Sequence, residues 1–320
     1  MSSIKPSDVA EYDCLDDLMY DVLERLLATK DRFGASKGDG VEMLGVSLRL
    51  ANPRARLSRS ETRGKLFSAL GELFWYLSGS DKLAFILHYI SSYDKYSDDK
   101  ITVHGAYGPR LIKSSGGNQI QNIINLLKSK PTSRRAAMQI FSAGDLKQDY
   151  ADVPCTCTIQ AILRKELLNF VVYMRSNDAY LGLPHDVFAF TMMQEMIARA
   201  LGVEVGFYHH MVGNLHLYDD RVQNAQEYVS EKYQTVAPMP PMPHGDPWGF
   251  LPTLLDAEAA IRADSCASLN SNLDPYWEDI VRLLRVHSES RYKKAGYEDR
   301  VRAFRSQMSC SAYDVYFPEP

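Results

Sequence analysis

The apolar positions of this chain recur with two periods, and each period predicts a different element. Spacings of three and four place apolar residues along one side of a helix, whereas alternation is typical of strands. The helical spacing occurs at residues 13–30, 62–78, 120–127, 187–202, 274–286 and 298–308. The helix over residues 187–202 is apolar nearly all round, so we expect it to be internal.

Strands are predicted between these helices. Alternating or β-rich stretches occur at residues 41–50, 136–141, 155–174 and 204–218. Residues 155–174 are expected to fold as a hairpin. Gly45 is expected to mark a bulge in the strand over residues 41–50. The segment DRFGASKGDG before residue 41 is predicted to be a flexible loop carrying Arg32 and Lys37, which is either solvated or closes over an anion. Tyr107 is expected in a turn between small residues.

The hairpin segment carries the most reactive residue types. Period two predicts Cys155, Cys157, Ile159 and Ala161 on one face, so two thiols compete for the role of nucleophile. A cysteine on a strand is more often a small buried hydrophobe than a catalyst. The second strand leads into an Arg-Ser-Asn-Asp turn, which a hairpin brings back beside the first cysteine. A thiol, a guanidinium and carboxylates are therefore expected in one pocket.

Two acidic residues each admit two interpretations. Glu72 has no basic residue three or four positions away, so it is either a surface glutamate or a desolvated carboxyl with a raised pKa, suited to proton transfer. Asp186 follows Pro184-His185 and precedes the apolar helix, where it is either part of a site or the N-cap of that helix.

Composition and charge narrow the class of protein. The net charge of −4 over 320 residues argues against a general nucleic-acid-binding surface. Five unevenly spaced cysteines without a CxxC pair favour reduced thiols in a cytoplasmic protein. No apolar run reaches about 20 residues, so neither a membrane span nor a signal peptide is expected. Three histidines at positions 209, 210 and 216 lack the carboxylate or cysteine spacing of a metal site, so no metal is expected.

Six motifs in order resemble the thymidylate synthase family. They are GELFW, the YG at Tyr107, PTSRR, PCT, RSNDAYLGLPHD and NLHLY. The resemblance implies an α/β fold with a large mixed β-sheet flanked by helices and a sheet-to-sheet homodimer. It also implies one domain over residues 1–320, with the motifs within about 40–225 and a helical extension over about 250–320. The proline-rich segment APMPPMPHGDPWGF lies between these parts, either as a rigid loop or as a partner-binding segment.

The resemblance also implies a role for particular residues. Carried over position by position, Cys155 corresponds to the nucleophile and Glu72 to the glutamate that manages proton transfer. Arg175 and Ser176 correspond to phosphate ligands, and Arg134 and Arg135 to phosphate ligands from the partner subunit. His216 and Tyr218 correspond to ligands of the sugar hydroxyl, and Tyr107 to the active-site tyrosine. Asp178 and Gly182 correspond to residues on the folate side.

Departures from the synthase pattern point to a cytosine nucleotide. Asp186 stands where synthases have Asn, and a protonated carboxyl can donate to cytosine N3 and accept from its amino group. An Asn with its amide turned could also pair with cytosine. Thr156 and Asp152 replace a histidine and an apolar residue, as in phage dCMP hydroxymethylases, and Tyr93 and Tyr96 correspond to the tryptophans beside the folate.

The expected function is therefore a cytidylate 5-hydroxymethylase. It would transfer a one-carbon unit from 5,10-methylenetetrahydrofolate to carbon 5 of CMP or dCMP, with water capturing the methylene group in a polar pocket. His185 replaces an aromatic folate contact. One alternative is a thymidylate synthase acting on dUMP. Another is a non-catalytic nucleotide-binding regulator, which retention of Cys155, Glu72 and the arginines disfavours.

Overall fold

One large β-sheet forms the centre of the molecule. A computed structural model describes residues 10–35, 38–60, 66–269 and 273–317. Within these ranges the sheet has eight strands, in the order β1-β3-β8-β6-β5-β4, with β2 beside β3 and β7 beside β8. The strands are β1 Ala10–Tyr12, β2 Arg32–Ala35, β3 Gly38–Leu50, β4 Ala137–Gln139, β5 Thr156–Arg164, β6 Leu167–Met174, β7 Asn177–Asp178 and β8 Glu204–Tyr218.

The sheet is mixed, as the resemblance implies. Strand β8 pairs antiparallel with β3 and parallel with β6, and β5 and β6 form the expected hairpin. Two local predictions are wrong. The segment before residue 41 is not a loop throughout, because β2 pairs antiparallel with the start of β3. Gly45 has a φ of 64°, but the pairing register is the same on both sides of it, so it marks no bulge.

The helices predicted from the spacing lie close to their predicted positions, and further helices lie between them. They are α1 Leu15–Ala28, α2 Leu66–Leu77, α3 Leu83–Leu87, α4 Tyr107–Ile112, α5 Gln119–Ser129, α6 Leu183–Leu201, α7 Val222–Ser230, α8 Leu251–Ala263, α9 Pro275–Tyr292 and α10 Tyr297–Ser306. The start of the predicted 62–78 helix falls partly outside the described residues. Tyr107 begins α4 instead of lying in a turn, and Ser91–Tyr96 form a 3-10 helix.

The two faces of the sheet have different surroundings. Helix α6 is buried along almost its whole length and packs against β6 and β8, which confirms that it is internal. The opposite face alternates with the buried one and carries partly exposed residues, including Tyr173 at 45% and Met211 at 38%. Exposed apolar residues on a sheet face favour contact with another protein surface.

The segments after the sheet also contribute to the core. In the proline-rich loop, Met239 and Met242 are buried and the Met242 N–H donates to Glu195 Oε1 at 2.9 Å. Glu195 also pairs with Arg56, and both side chains are fully buried. Because the proline-rich loop packs inside the molecule, the structure favours the rigid-loop interpretation over the partner-binding one. Among the described residues, no helix combines the length and apolar character that a bilayer span requires.

A close helix contact fixes the position of α2, the helix that carries Glu72. A Cβ atom on Gly71 would lie 2.0 Å from Cγ of the Tyr89 ring. Only glycine allows this approach, which holds α2 against the segment that leads into the 3-10 helix. The Tyr89 hydroxyl in turn donates to Glu258 Oε1 at 2.7 Å. Glu72 is therefore positioned by the packing of its neighbour Gly71.

Candidate active site

The ends of the β5–β6 hairpin bring a thiol and a guanidinium together. Cys155 precedes β5 and Arg175 follows β6, and the Arg175 N–H donates to the Cys155 carbonyl at 2.9 Å. The Arg175 guanidinium lies 3.8 Å from Cys155 Sγ and donates to the Val153 and Pro154 carbonyls at 2.8 and 3.0 Å. A fixed cation beside a thiol favours the thiolate. The predicted association of Cys155 with Arg175 is therefore present in the fold.

The predicted alternation is interrupted between the two cysteines of this segment. The β5–β6 register shifts between Thr156 and Thr158, so the simple alternation predicted for this segment is wrong near Cys157. Burial raises the pKa of Cys157, against a smaller opposing effect of Arg175. A raised pKa disfavours the nucleophilic thiolate. Cys155 is accordingly the better candidate of the two thiols.

Glu72 is a buried residue in the interior of α2. It is 7% exposed, and its Oε1 accepts a hydrogen bond from the Tyr93 hydroxyl at 2.8 Å. The surface interpretation is therefore wrong. Burial and the nearby carboxylates of Glu72 and Asp152 raise the pKa of Tyr93, which keeps its hydroxyl a donor. Asp152 is held close by Gly105, where a Cβ would lie 2.1 Å from its Oδ2.

Tyr107 connects the nucleophile to the apolar helix. Its hydroxyl accepts a hydrogen bond from the Thr156 N–H at 3.1 Å, directly after Cys155. Its ring stacks on Tyr76, with centroids 4.8 Å apart. Burial raises the pKa of Tyr107, and negative charge on Asp186 and Cys155 raises it further. Tyr107 is therefore close to both the thiol and the acid at position 186.

Asp186 is not the N-cap of α6. The helix begins at Leu183 with Gly182 as its N-cap, and the Asp186 N–H donates to the Gly182 carbonyl at 3.0 Å. The carboxyl is 8% exposed, and its Oδ2 accepts a hydrogen bond from Asn177 Nδ2 at 2.8 Å. Burial and the charge of Glu72 raise the pKa of Asp186 well above its ordinary value, although Asn177 opposes this effect. A neutral carboxyl is thus favoured here.

Sequence reasoning missed a chain of polar groups behind Asp186. Asn177 Oδ1 lies 2.9 Å from His210 Nε2, and His210 Nδ1 lies 2.7 Å from the Tyr208 hydroxyl. Burial lowers the pKa of His210 to about 3, so its imidazole is neutral. The signal was available in part, since period two in β8 predicts Tyr208 and His210 on one face. The partner Asn177 comes from another strand, which the pattern did not connect.

The predicted sugar-binding and folate-side residues lie side by side on adjacent strands. Asp178 of β7 pairs with His216 of β8, whose ring contacts Tyr218 edge-on at 4.9 Å. Asp178 Oδ1 accepts hydrogen bonds from the N–H groups of Tyr180 and Leu181, both at 2.8 Å. Asp178 therefore stabilises the turn that leads into α6. Negative charges on Asp178 and Cys155 contribute to a raised pKa of Tyr218, although burial is the main cause.

The aromatic and histidine residues assigned to the folate side lie around this cluster. Tyr96 contacts Tyr93 edge-on, with ring centroids 5.5 Å apart. His185 Nδ1 lies 2.7 Å from the Leu181 carbonyl, and its Nε2 lies 2.7 Å from Ser68 Oγ. In a neutral ring the first nitrogen donates and the second accepts.

The remaining phosphate candidates are spread over the surface. Arg134 and Arg135 are exposed just before β4, and Ser176 is half-buried beside Arg175. The structure shows no contact of these two arginines with Cys155 among the described residues. Arg32 is exposed and donates to Asp219 Oδ2 at 2.6 Å, which favours a structural role. Lys37 lies outside the described residues.

A concave region elsewhere on the molecule does not contain these residues. A cavity of about 1060 Å³ is lined by His104, Arg110 and Asp145 among others, without a nucleophile from the Cys155 cluster. Asp145 accepts hydrogen bonds from Arg110 and His104 at 2.7 to 2.8 Å, so the carboxylate and the guanidinium compensate one another. In the described part of the chain, no cluster of three or more His, Cys, Asp or Glu residues is arranged to hold a metal ion.

Comparison with known proteins gives one consistent result. A family model described as thymidylate synthase matches residues 15–242. The chain is 30% identical over 164 residues to a protein named thymidylate synthase from Buchnera aphidicola subsp. Baizongia pistaciae (strain Bp). That alignment covers 49% of this chain and 62% of the relative, so the match spans less than two thirds of that protein's length. The matched region contains the whole Cys155 cluster.

Proposed function

The chain belongs to the thymidylate synthase family, and from that premise we propose that it is a cytidylate 5-hydroxymethylase. The substrate would be CMP or dCMP, and the one-carbon donor 5,10-methylenetetrahydrofolate. The observation that carries the choice of base is Asp186, a carboxyl that is buried, close to Glu72 and therefore neutral. The polar surroundings of Cys155 support water as the group that completes the reaction.

Cys155 supplies the covalent step of the proposed reaction. Its thiolate adds to carbon 6 of the pyrimidine ring, and the electron pair gained by carbon 5 attacks the one-carbon unit. Loss of the carbon 5 proton and expulsion of tetrahydrofolate leave a methylene group on carbon 5. Water adds to that group, and the sulfur then leaves carbon 6. The Arg175 guanidinium 3.8 Å away favours the thiolate form that starts this sequence.

Asp186 selects the base in this proposal. Cytosine presents an acceptor, N3, beside a donor, its amino group, and a neutral carboxyl offers a donor and an acceptor in return. Uracil presents the opposite order at the same positions. An ionised carboxylate would face the uracil carbonyl oxygen with like charge, which is unfavourable in a buried site. The high pKa of Asp186 thus suits cytosine.

Glu72 and Asp152 carry the proton and water chemistry. Glu72 is buried and hydrogen-bonded to the Tyr93 hydroxyl, so a proton can be held at a fixed carboxylate atom near the reacting ring. Asp152 adds a second acidic group in the same region. Acidic side chains attract and orient water, which supports capture of the methylene group by water over hydride transfer.

The residues beside this cluster fit a folate co-substrate. Tyr93 and Tyr96 present aromatic rings 5.5 Å apart next to Glu72, and aromatic faces suit a planar pterin ring. Asp178 and Gly182 lie at the adjoining turn, where Asp178 Oδ1 organises two backbone N–H groups. When bound, the folate would supply the one-carbon unit. The chain's own residues hold it, orient it and manage the protons.

We also propose a homodimer formed through the open face of the sheet. Tyr173 and Met211 are partly exposed on adjacent strands of that face. Arg134 and Arg135 are exposed at its edge and are free of Cys155 contacts within one described chain. In a dimer they would complete the phosphate site of the partner. Arg175 and Ser176 would contribute from the same chain as Cys155.

A thymidylate synthase acting on dUMP is the second candidate, because the Buchnera relative bears that name. A turnover comparison separates the two functions. Enzyme and methylenetetrahydrofolate are incubated with CMP, dCMP or dUMP, and the nucleotide mass and dihydrofolate absorbance are followed. We expect one CH₂O unit added to a cytidylate without dihydrofolate, and no product with Cys155→Ser. Methylated dUMP with dihydrofolate would instead establish the synthase activity.

A further inference from the structure

We propose that the Tyr208–His210–Asn177 hydrogen-bond chain makes Asn177 a specificity-determining positioning residue, which fixes the donor and acceptor sides of residue 186. The three residues come from strands β7 and β8, whereas Asp186 belongs to α6. The inference deepens the proposed function and rests on it for the identity of the base. It concerns the direction of hydrogen bonds behind the site, which the chemical type of residue 186 alone does not set.

The direction of the chain follows from its buried end. Tyr208 is 0% exposed, and in the described part of the molecule His210 Nδ1 is the one hydrogen-bond partner of its hydroxyl. A buried hydroxyl proton without an acceptor is unfavourable, so the Tyr208 hydroxyl donates to Nδ1. A neutral imidazole that accepts at Nδ1 must carry its proton on Nε2. His210 Nε2 therefore donates to Asn177.

This direction continues through the amide to Asp186. Because His210 donates at 2.9 Å, the Asn177 atom facing it must be the carbonyl oxygen Oδ1. The amide nitrogen Nδ2 then faces Asp186 and donates to its Oδ2 at 2.8 Å. Gly182 leaves room for this nitrogen, because a Cβ there would lie 2.8 Å from Nδ2. Oδ2 is thus held as an acceptor.

The proton of a neutral Asp186 is consequently carried by Oδ1. In the proposed complex Oδ1 donates to cytosine N3, and Oδ2 accepts from the cytosine amino group. The reverse arrangement would require Asn177 to rotate and His210 to change tautomer. That change would leave the Tyr208 proton buried without an acceptor. The chain therefore opposes the arrangement that uracil requires.

The same reasoning predicts an unusual result for an amide at position 186. In Asp186→Asn, the Asn177 amide nitrogen still donates toward residue 186 and holds the new carbonyl oxygen on that side. The new NH₂ group then takes the place of the Asp186 proton, and the pocket continues to prefer cytosine. Adding Asn177→Asp removes the donor. A carboxylate at 177 accepts from both His210 and the NH₂ group of residue 186, which turns the amide toward uracil.

The test measures binding of the nucleotides alone by titration calorimetry at pH 7. The pairs dCMP and dUMP, and CMP and UMP, are titrated into wild type, D186N and N177D/D186N. We expect D186N to bind the cytosine nucleotide about tenfold or more tightly than the uracil nucleotide, and N177D/D186N to show the reverse. If Asn177 had only a structural role, the substitution would weaken the binding of both nucleotides equally. Equal base preference in D186N and N177D/D186N overturns the inference.

Two further variants keep the test decisive if N177D/D186N fails to fold. Y208F/D186N removes the hydroxyl that fixes the His210 tautomer, so its discrimination between the bases should fall toward unity. Y276F/D186N is the matched control, because the Tyr276 hydroxyl lies in the core against Met192 Sδ at 3.8 Å. It should behave like D186N, and identical preferences in Y208F/D186N and D186N would overturn the inference.

Wild type supplies an independent check on the proposed function. If wild type binds the uracil nucleotide more tightly, the assignment of cytosine fails. The opposite preferences of D186N and N177D/D186N can still hold in that case, because they depend on the hydrogen-bond chain. Failure of the function and failure of the inference therefore give different results.

Discussion

The protonation of Asp186 gives a prediction that can be measured directly. The titratable groups around this carboxyl are Glu72, Asp178 and the hydroxyls of Tyr76, Tyr107 and Tyr208. Each of these groups is either neutral or negatively charged, and none can carry a positive charge. Burial and Glu72 raise its pKa, so the folded protein keeps a proton that an exposed aspartate would lose. Cytosine binding uses that proton. Affinity for dCMP should therefore decrease as pH rises through the raised pKa.

The size of the effect follows from one linked proton. Above the pKa each pH unit weakens dCMP binding tenfold, equivalent to about 1.4 kcal/mol. The affinity is measured by calorimetric titration of Cys155→Ala with dCMP from pH 6.5 to 9.5. This variant cannot form the covalent adduct and has no thiol at position 155 to lose a proton. Most of this pH range lies above the second pKa of the nucleotide phosphate, about 6, so the phosphate contributes little to the pH dependence of binding. Affinity should be highest at the low end of the range.

Asp186→Asn in the Cys155→Ala background is the matched control. Its amide has no proton to lose, so its dCMP affinity should vary little over the same range. The reasoning is refuted if both proteins show the same pH profile. It is also refuted if the dCMP affinity of the Cys155→Ala protein increases as the pH rises.

Three further predictions test the nucleophile, the packing and the assembly. Cys155→Ser should abolish turnover while nucleotide binding is retained. Cys157→Ser should keep turnover, because burial disfavours the Cys157 thiolate. Loss of turnover in both variants would argue against Cys155 as the sole nucleophile. Gly71→Ala should lower the free energy of unfolding in urea by about 1–3 kcal/mol, because its methyl group would overlap a tyrosine ring. Gly249→Ala, with open space around it, is the control. Tyr173→Glu should shift sedimentation toward a monomer, and an unchanged sedimentation coefficient would contradict a dimer through this face.

Local elements were predictable because they depend on periodicity within short stretches. The hairpin of β5 and β6, the long strand β8 and the internal helix α6 all appear where alternation or helical spacing indicates them. The errors have local causes as well. The segment before β3 forms a strand because pairing with β3 outweighs its glycine content. Tyr107 lies in a helix that short-range pattern did not indicate.

The candidate site was predictable in its residue types more than in its arrangement. The motifs identified Cys155, Arg175, Glu72 and Asp186, and the structure brings the thiol and guanidinium within 3.8 Å. Burial decided between the alternatives for the acids. Glu72 and Asp186 are less than 10% exposed, which no local pattern distinguished from surface or cap positions. Burial of this kind depends on which distant elements cover a residue.

The sequence by itself determined the main strands and helices, the family and the residue types near the thiol, because these follow from periodicity and short motifs. Only the tertiary structure decided the hydrogen-bond partner of Asp186. Asn177 of β7 donates to Asp186 of α6, and His210 of β8 contacts Asn177, so these hydrogen bonds exist only after the chain has folded. Protonation depends on solvent exclusion and neighbouring charge, and hydrogen-bond direction depends on the partner at each end. Both are properties of the assembled core.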